Sequence, residues 1–575
     1  MYRQHLAVFG FGLAMVLWGG DTCAAQEAEK NPLAAPPKAI RRWQAMRFGM
    51  FIHWGPVSLV GTEIGWSRAG PRRGHRSGRG TQVPVEIYDN LYKRFNPVRF
   101  DADEWVRIAQ RAGMRYLVFT TKHHDGFCNF DSKLTDYKIT SPESPYGRDI
   151  CRQIADACHR AGLALGWYYS PPDWHHPDYH NGPRHARYIQ YLHGQVEELL
   201  TNYGRVDIMW FDGLGGRSED WDSPRLLRLV RRLQPEIVIN NRGGLPGDFD
   251  TPEQRVGSFN RQRPWETCMT LGRQWAWKPN DQLKSATQCI QTLLRVVGGD
   301  GNFLFNVGPM PDGRIEPRQV ERLEAMGQWL QRYGDGVYQT RGGPYMPGRW
   351  GASTCRDEAV WLFIMNWPEE GPLRLPPIDL AITGAKTRSG GQARLEQTPE
   401  GLAVWLDKDR RDAIATVIQL TVSGKAFDIQ PVRVGSLSGS LAFGKPAKAS
   451  NVYRDMHHRF GPDKALDDDP ATRWATDAGT HEAWLEVDLG RPQEIGRAVI
   501  CEAYAHRVRR YVLEGRRDGQ WVTLHEGTTL GERAELRFAP VTARVVRLNI
   551  IQATEGPTIW EFQVFGPDDK PKHGT

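Results

Sequence analysis

The side chains best suited to chemistry are an aspartate and several histidines, each closing a short apolar run. Asp212 ends VDIMWFDG (Val206 to Gly213), whose Val206, Ile208, Met209, Trp210 and Phe211 read as a buried parallel strand. The residue at the C-terminal end of such a strand stands at the mouth of a sheet or barrel, where α/β enzymes keep their reacting groups. The competing reading is that Asp212 only caps an Asp-Gly turn. His53 ends FGMFIHW (Phe48 to Trp54), and Lys122-His123-His124-Asp125-Gly126 follows the run Tyr116 to Thr121. His53, His123 and His124 with Asp212 offer either metal ligands or a polar cradle for hydroxyl groups. The adjacent His-His pair lacks the i,i+4 or His-x-His spacing of common metal sites, which favours the cradle. With Asp212 as a nucleophile, a retaining glycosidase needs a second carboxyl group about 5 Å away as acid/base. Asp248, Asp250, Glu253 and Glu266 lie downstream in an irregular stretch, each with the alternative of a solvated loop charge.

Positioning such residues requires strands in alternation with helices, and the chain supplies them. Asp101 opens a helix with Glu104 as its capping-box partner, apolar positions Trp105, Ile108, Ala109 and Ala112, and a stop at Gly113. Asp149 opens a second helix that stops near Gly162, followed by the strand Leu163 to Ser170. A helix from His185 to Tyr203 precedes the Asp212 strand. Ser223-Pro224 reads as a cap plus first-turn proline, and Glu236 to Asn241 is a fifth strand ending on Asn-Asn-Arg. After the irregular Gly243 to Lys278, a helix (Leu283 to Val297), a strand (Asn302 to Gly308) and a last helix (Pro317 to Tyr333) restore the rhythm. This predicts a (β/α)8-type barrel over residues 26–345. His53, His123, His124, Tyr169, Asp212 and Arg242 then converge on one face. An open doubly wound sheet is the alternative, but no Gly-rich phosphate loop follows the first strand. Helical patterns vanish beyond Arg341. Short strands predict a β-sandwich over 346–434, then a GSLSGS linker and a second sandwich over 441–566.

The 575 residues, 40% hydrophobic and 25% charged, exclude a disordered chain and imply several domains. The net charge of +7 is thinly spread, which gives no case for nucleic acid. Only the Arg-rich loop PRRGHRSGRG (Pro71 to Gly80) suggests phosphate or sulfate. The 21 Trp and 18 Tyr suit sugar platforms or aromatic cores. MYRQH, an apolar stretch and DTCAAQ describe an export signal cleaved near Ala25, so the expected location is periplasmic or extracellular. Cys23 as a lipidation site is the weaker reading. No other stretch reads as a membrane span. The scattered Cys128, Cys151, Cys158, Cys268, Cys289, Cys355 and Cys501 form neither a disulfide framework nor a CxxC zinc site.

FGMFIHWG, TKHHDGF, WYYS, WFDG, NNR and NVGPMPDG occur in that order between about Arg42 and Thr340. Together they resemble the α-L-fucosidases of glycoside hydrolase family 29. The resemblance implies a (β/α) barrel followed by a β-sandwich, and hydrolysis with retention through a covalent glycosyl-enzyme that needs no metal. It implies Asp212 as nucleophile and sugar contacts at His53, Trp66, His123, His124, Tyr169, Trp210 and Arg242. DFDTPEQR points to Glu253 as the acid/base, with Glu266 in PWET as second candidate. The family's Glu-Trp after the first strand is here Glu63-Ile-Gly-Trp66, a departure that bears on substrate choice. KALDDDPATRWAT, EVDLG and Trp560-Glu561-Phe562 resemble the discoidin or coagulation factor 5/8 type C domain, which includes carbohydrate-binding modules of family 32. That likeness implies one structural Ca²⁺ on oxygens of Asp467, Thr472 and Glu561. The expectation is an exported retaining exo-α-L-fucosidase acting on a fucosylated oligosaccharide, glycoprotein or polysaccharide. The alternatives are an exo-glycosidase for another L-sugar such as α-L-galactose, and a catalytically silent glycan-binding protein.

Overall fold

A computed structural model describes residues 32–70, 83–368, 371–469 and 472–567. The expected export signal and the Arg-rich loop lie outside them. The described chain divides into two compact units, with the boundary at Gln339/Thr340 apart from residues 297–299.

The first unit is built on seven parallel strands: β1 Phe48–Ile52, β2 Tyr116–Lys122, β3 Ala164–Tyr169, β4 Ile208–Phe211, β5 Val238–Ile239, β6 Glu266–Thr270 and β7 Asn302–Val307. Their order is β5-β4-β3-β2-β1-β7-β6. Parallel bridges Asn240↔Phe249 and Asp250↔Trp265 bring the irregular segment in as an eighth, minimal strand that joins β5 to β6. The ring is therefore a closed (β/α)8 barrel. Its interior is filled by Phe51, Val118, Tyr168, Ile208, Trp210, Val238, Phe249, Cys268 and Leu304, alternate residues of successive strands, as the two-residue period requires.

The helices start and stop where local chemistry directs. Asp101 accepts from the Glu104 amide at 3.0 Å ahead of helix Ala102–Arg111. Asp149 accepts from the Arg152 amide at 2.8 Å ahead of helix Ile150–Ala161, which closes on left-handed Gly162. Ser223 departs from the expected cap. It is the first residue of helix Ser223–Leu233, preceded by Asp222 at φ 47°, and its hydroxyl donates to the Gly243 carbonyl at 2.6 Å. The β5 loop has captured a hydroxyl that would otherwise serve the helix. β6, unrecognised in the sequence, reads ETCMT; its strand is completely buried although Glu266, Thr267 and Thr270 are polar, so no apolar run announces it.

In the second unit, antiparallel strands at 341–342, 351–356, 359–364, 382–387 and 416–422 form one sheet, and those at 373–375, 394–398 and 401–405 a second. They enclose a core including Trp350, Leu362, Val404 and Ile418. Residues 447–565 form a separate seven-stranded antiparallel sheet around Trp474, Leu485, Ile500, Leu548 and Phe562. Among the described residues no helix is long and apolar enough to cross a membrane.

Candidate active site

The C-terminal ends of the barrel strands surround a cavity lined by Phe51, His53, Trp66, His123, Tyr168, Trp210, Asp212, Leu214, Arg242, Glu253, Cys268 and Trp275. Asp212 lies just past β4 and is gripped through both oxygens. Tyr168 Oη donates to Oδ2 at 2.9 Å, and Arg242 Nη1 donates to Oδ1 at 3.2 Å. His124 Nε2 stands 3.5 Å from the same Oδ2. Arg242 is itself clamped. Its Nε donates to Thr251 Oγ1 at 2.8 Å and its Nη2 to the Thr251 carbonyl at 3.0 Å, while the guanidinium rests on the Trp210 ring 4.8 Å from the centroid.

The second carboxylate meets the first through this arginine. Glu253 Oε2 lies 2.9 Å from the same Nη1 that reaches Asp212. The nearest oxygens of the two groups can be no further apart than those two contacts laid end to end. That is short of the roughly 6.5–9.5 Å of an inverting pair and in keeping with the roughly 5–5.5 Å of a retaining one. Glu253 is also the more exposed of the two, its side chain 40% accessible against 13% for Asp212.

The histidines form one wall. His53 Nδ1 pairs with Asn306 Oδ1 at 2.7 Å, and His124 Nδ1 with Ser170 Oγ at 2.6 Å. Burial lowers the pKa of His53 to about 4, against the opposing pull of Asn306 and Asp212. Burial, then His124 and His53, hold His123 well below its ordinary value. Both are neutral over the ordinary range, so each imidazole can donate one hydrogen bond and accept another. His123, His124 and Asp212 bring ligand atoms within 4.8 Å of one another. A metal there would compete with Arg242, whose charge already lies 3.2 Å from the shared carboxylate.

Two sequence expectations, Tyr169 and Glu266, meet a different geometry. Tyr169 is outside the cavity: it is fully buried, with its hydroxyl donating to Gln195 Oε1 at 2.9 Å and Lys122 Nζ 4.6 Å from its ring centroid. The inward tyrosine is Tyr168, in register with Trp210, while Tyr169 pairs with outward Phe211. Asp212 shares the parity of Trp210, so period-two counting back from Asp212 selects Tyr168. Glu266 does not line the cavity either. It is the first residue of β6, at the barrel's N-terminal end, and is wholly buried. It cannot reach a leaving group at the opposite end. Glu63, at the departure from the family pattern, turns away from the sugar site and accepts from the amides of Trp275 (2.9 Å) and Ala276 (3.1 Å). Burial raises its pKa despite those bonds. Its function here is to hold the loop that presents Trp275, a wall residue found only in the structure; RQWAWK (Arg273 to Lys278) was the available signal. Asp248 and Asp250 are structural: Asp248 pairs with Arg231 at 3.0 Å and Asp250 with Arg263 at 2.9 Å.

A closed parallel barrel with two close carboxylates and an aromatic-lined cavity at its C-terminal mouth has the form of a glycoside hydrolase. Residues 21–335 match the family model described as "Alpha-L-fucosidase", and residues 446–562 match "F5/8 type C domain". The chain belongs to the α-L-fucosidases, glycoside hydrolase family 29. It is 28% identical over 368 residues to the human tissue alpha-L-fucosidase, covering 59% of this chain and 78% of the human one. Among solved structures, alpha-L-fucosidase isoenzyme 1 from Paenibacillus thiaminolyticus is 35% identical with TM-score 0.61, over 67% of this chain and 99% of that one. The Bacteroides thetaiotaomicron family 29 enzyme, trapped as a covalent intermediate with 2-fluoro-fucosyl fluoride, is 26% identical with TM-score 0.60, over 68% and 97%.

Proposed function

We propose that this protein is an exported, retaining exo-α-L-fucosidase with Asp212 as nucleophile and Glu253 as acid/base. The observation that carries the reading is the pair of carboxylates sharing Arg242 Nη1 at the cavity mouth. Asp212 attacks the anomeric carbon while the Glu253 carboxyl group protonates the departing glycosidic oxygen. This forms a glycosyl ester on Asp212 and frees the aglycone. Glu253, now a carboxylate, takes a proton from water as that water attacks the anomeric carbon, releasing the sugar with retained configuration. Glu253 reaches the leaving oxygen by swinging from Arg242, a movement its exposure permits. The neutral histidines, Trp66 and Arg242 contact the sugar hydroxyls. The apolar wall of Phe51, Leu214 and Trp275 suits a sugar bearing a methyl group where others carry a hydroxymethyl. The enclosed, aromatic-lined cavity suits one terminal residue of a fucosylated oligosaccharide, glycoprotein or polysaccharide. The two carboxyl groups suffice for both steps, and neither step calls on a metal.

The C-terminal sheet has a site that fits Ca²⁺. Both carboxylate oxygens of Glu561 are buried without a hydrogen-bond partner among the described residues. Burial, then Asp468 and Asp467, push its pKa up to about 9. The Asp467 oxygens each lie 2.9 Å from Thr472 Oγ1. Oxygens of Asp467, Glu561 and Thr472 would hold the cation, which supplies the charge that Glu561 lacks.

The test is release of p-nitrophenol from its α-L-fucoside and α-L-galactoside by wild type and Asp212→Ala. Turnover of the fucoside by wild type, about 10²-fold above the galactoside because the added hydroxyl meets an apolar wall, with Asp212→Ala folded and inactive, is expected. Activity in the folded mutant removes Asp212 from its role. Preference for the galactoside changes the sugar. A wild type that binds fucosides but hydrolyses neither aryl nor natural ones is a glycan-binding protein.

A further inference from the structure

Glu266 lies deep in the barrel, yet it is linked to the reacting groups through one side chain. Its Oε2 accepts from Tyr116 Oη at 2.5 Å, and its Oε1 accepts from Trp210 Nε1 at 3.1 Å. Trp210 is the floor of the sugar cavity and touches both groups that hold the nucleophile. Its ring stacks on Tyr168 (centroids 5.7 Å apart, planes at 18°) and carries the Arg242 guanidinium 4.8 Å from its centroid. Tyr168 and Arg242 are the donors to the two oxygens of Asp212. The path from Glu266 to the nucleophile therefore has one intermediate ring and two independent arms.

We propose that Glu266 is a positioning residue for the hydrolytic reaction, anchoring the Trp210 indole so that Tyr168 and Arg242 hold Asp212, and Arg242 holds Glu253, in the reactive arrangement. The inference rests on the hydrolase reading given above.

The choice of residue argues for this. A carboxyl group with no surface exposure is a costly way to fill a barrel, and Glu266 makes no ion pair among the described residues to offset the cost. An aliphatic side chain would fill the space more cheaply but leave the indole N–H without an acceptor. The indole ring has only one donor, and an unanchored ring can pivot about its two side-chain torsions. A carboxylate is the strongest acceptor available for it, and Tyr116 fixes that carboxylate in turn. A reacting group displaced by about 1 Å loses on the order of 10²-fold in rate, so a tilt of Trp210 transmitted to Asp212 is expected in kcat.

The experiment compares Glu266→Leu, Glu266→Gln and Tyr116→Phe with wild type on p-nitrophenyl α-L-fucoside, well below the melting temperature of each. Wild-type turnover comes first, since its absence overturns the hydrolase reading and not the anchor. Given that turnover, Glu266→Leu is expected to lose about 10–10²-fold in kcat with KM changed less than about threefold. Glu266→Gln, which keeps an acceptor for the indole, is expected within about fivefold of wild type. Wild-type kcat in folded Glu266→Leu, whatever its melting temperature, leaves Glu266 a packing residue and overturns the proposal. Equal losses in the Gln and Leu variants overturn it differently, by making the charge and not the anchor the essential property. If Glu266→Leu does not fold, Tyr116→Phe decides: a threefold or larger loss in kcat at unchanged KM supports the anchor, and no loss removes it.

Discussion

At the scale of single residues, Asp212 and Glu253 differ in how firmly they are held, and the difference matches their proposed tasks. A nucleophile profits from being fixed, and Asp212 has donors on both oxygens. An acid/base must approach a leaving group whose position depends on the aglycone, and Glu253 has a single ion-pair partner among the described residues and a 40% exposed side chain. Glu253→Ala is therefore expected to reduce turnover of natural fucosides by about 10²–10⁴-fold. The loss on the p-nitrophenyl fucoside is expected to be far smaller, since that leaving group departs without protonation. Equal losses on both would move the acid/base role to another carboxylate. The same scale explains Tyr168. WYYS offers two adjacent tyrosines, and the pleat alone assigns one to the sugar and the other to the helix that carries Gln195.

At the scale of elements, short strands are held in register by buried polar pairs. Arg47 ends helix Pro37–Met46 at φ 58° and turns into β1; its guanidinium pairs with Asp300, two residues before β7, at 2.7 Å, with side chains 0% and 1% exposed. It also donates to the Gly301 carbonyl at 3.2 Å. These contacts sit where β1 meets β7 in the barrel ring. Arg47→Ala removes the buried cationic partner of Asp300 and is expected to cost about 3–5 kcal/mol in denaturant unfolding of the barrel. Replacing both partners with apolar residues of similar volume is expected to cost less. A single-mutant loss below about 1 kcal/mol would mean that water reaches Asp300. The Glu63 contacts with the Trp275 loop work in the same way at the mouth of the barrel.

At the scale of the whole molecule, the charge state of one C-terminal carboxyl group links stability to pH, and the calcium site proposed above would draw on the same group. The pKa of Glu561 is raised from 4.5 to about 9, so the folded chain favours its protonated form. Without a cation, the corresponding stability is complete below about pH 4.5 and is lost as pH rises towards 9. Calcium requires the ionised form, so its affinity rises over the same interval. In EDTA, melting of the C-terminal unit is expected to shift downward between pH 5 and 9. Added Ca²⁺ is expected to raise it, more at pH 8 than at pH 5, with Glu561→Gln weakening both effects. A melting temperature indifferent to calcium at pH 8 would remove the ion from the site.

Strand-helix alternation, the capping aspartates and the His53, His123-His124 and Asp212 strand ends were legible because they depend on local patterns: period, cap chemistry and the order of motifs. Local patterns do not state how a barrel closes. The bridge through Phe249 and Asp250 is too short to leave a period, and β6 carries polar residues that only burial on all sides explains. Nor do they distinguish the two ends of a strand: Glu266 follows a tryptophan in the region where active-site loops were expected, yet it stands at the opposite end of the barrel from Asp212. Trp275, Tyr168 and the shared Arg242 nitrogen are likewise products of chain segments far apart in sequence meeting at one mouth. Sequence by itself determined the kind of fold and the nucleophile candidate, because alternating local periods encode the first and the end of a single strand the second. Tertiary structure decided which carboxylate lies beside Asp212 in the cavity and which tyrosine faces it, because those depend on distance and on the face of the pleat.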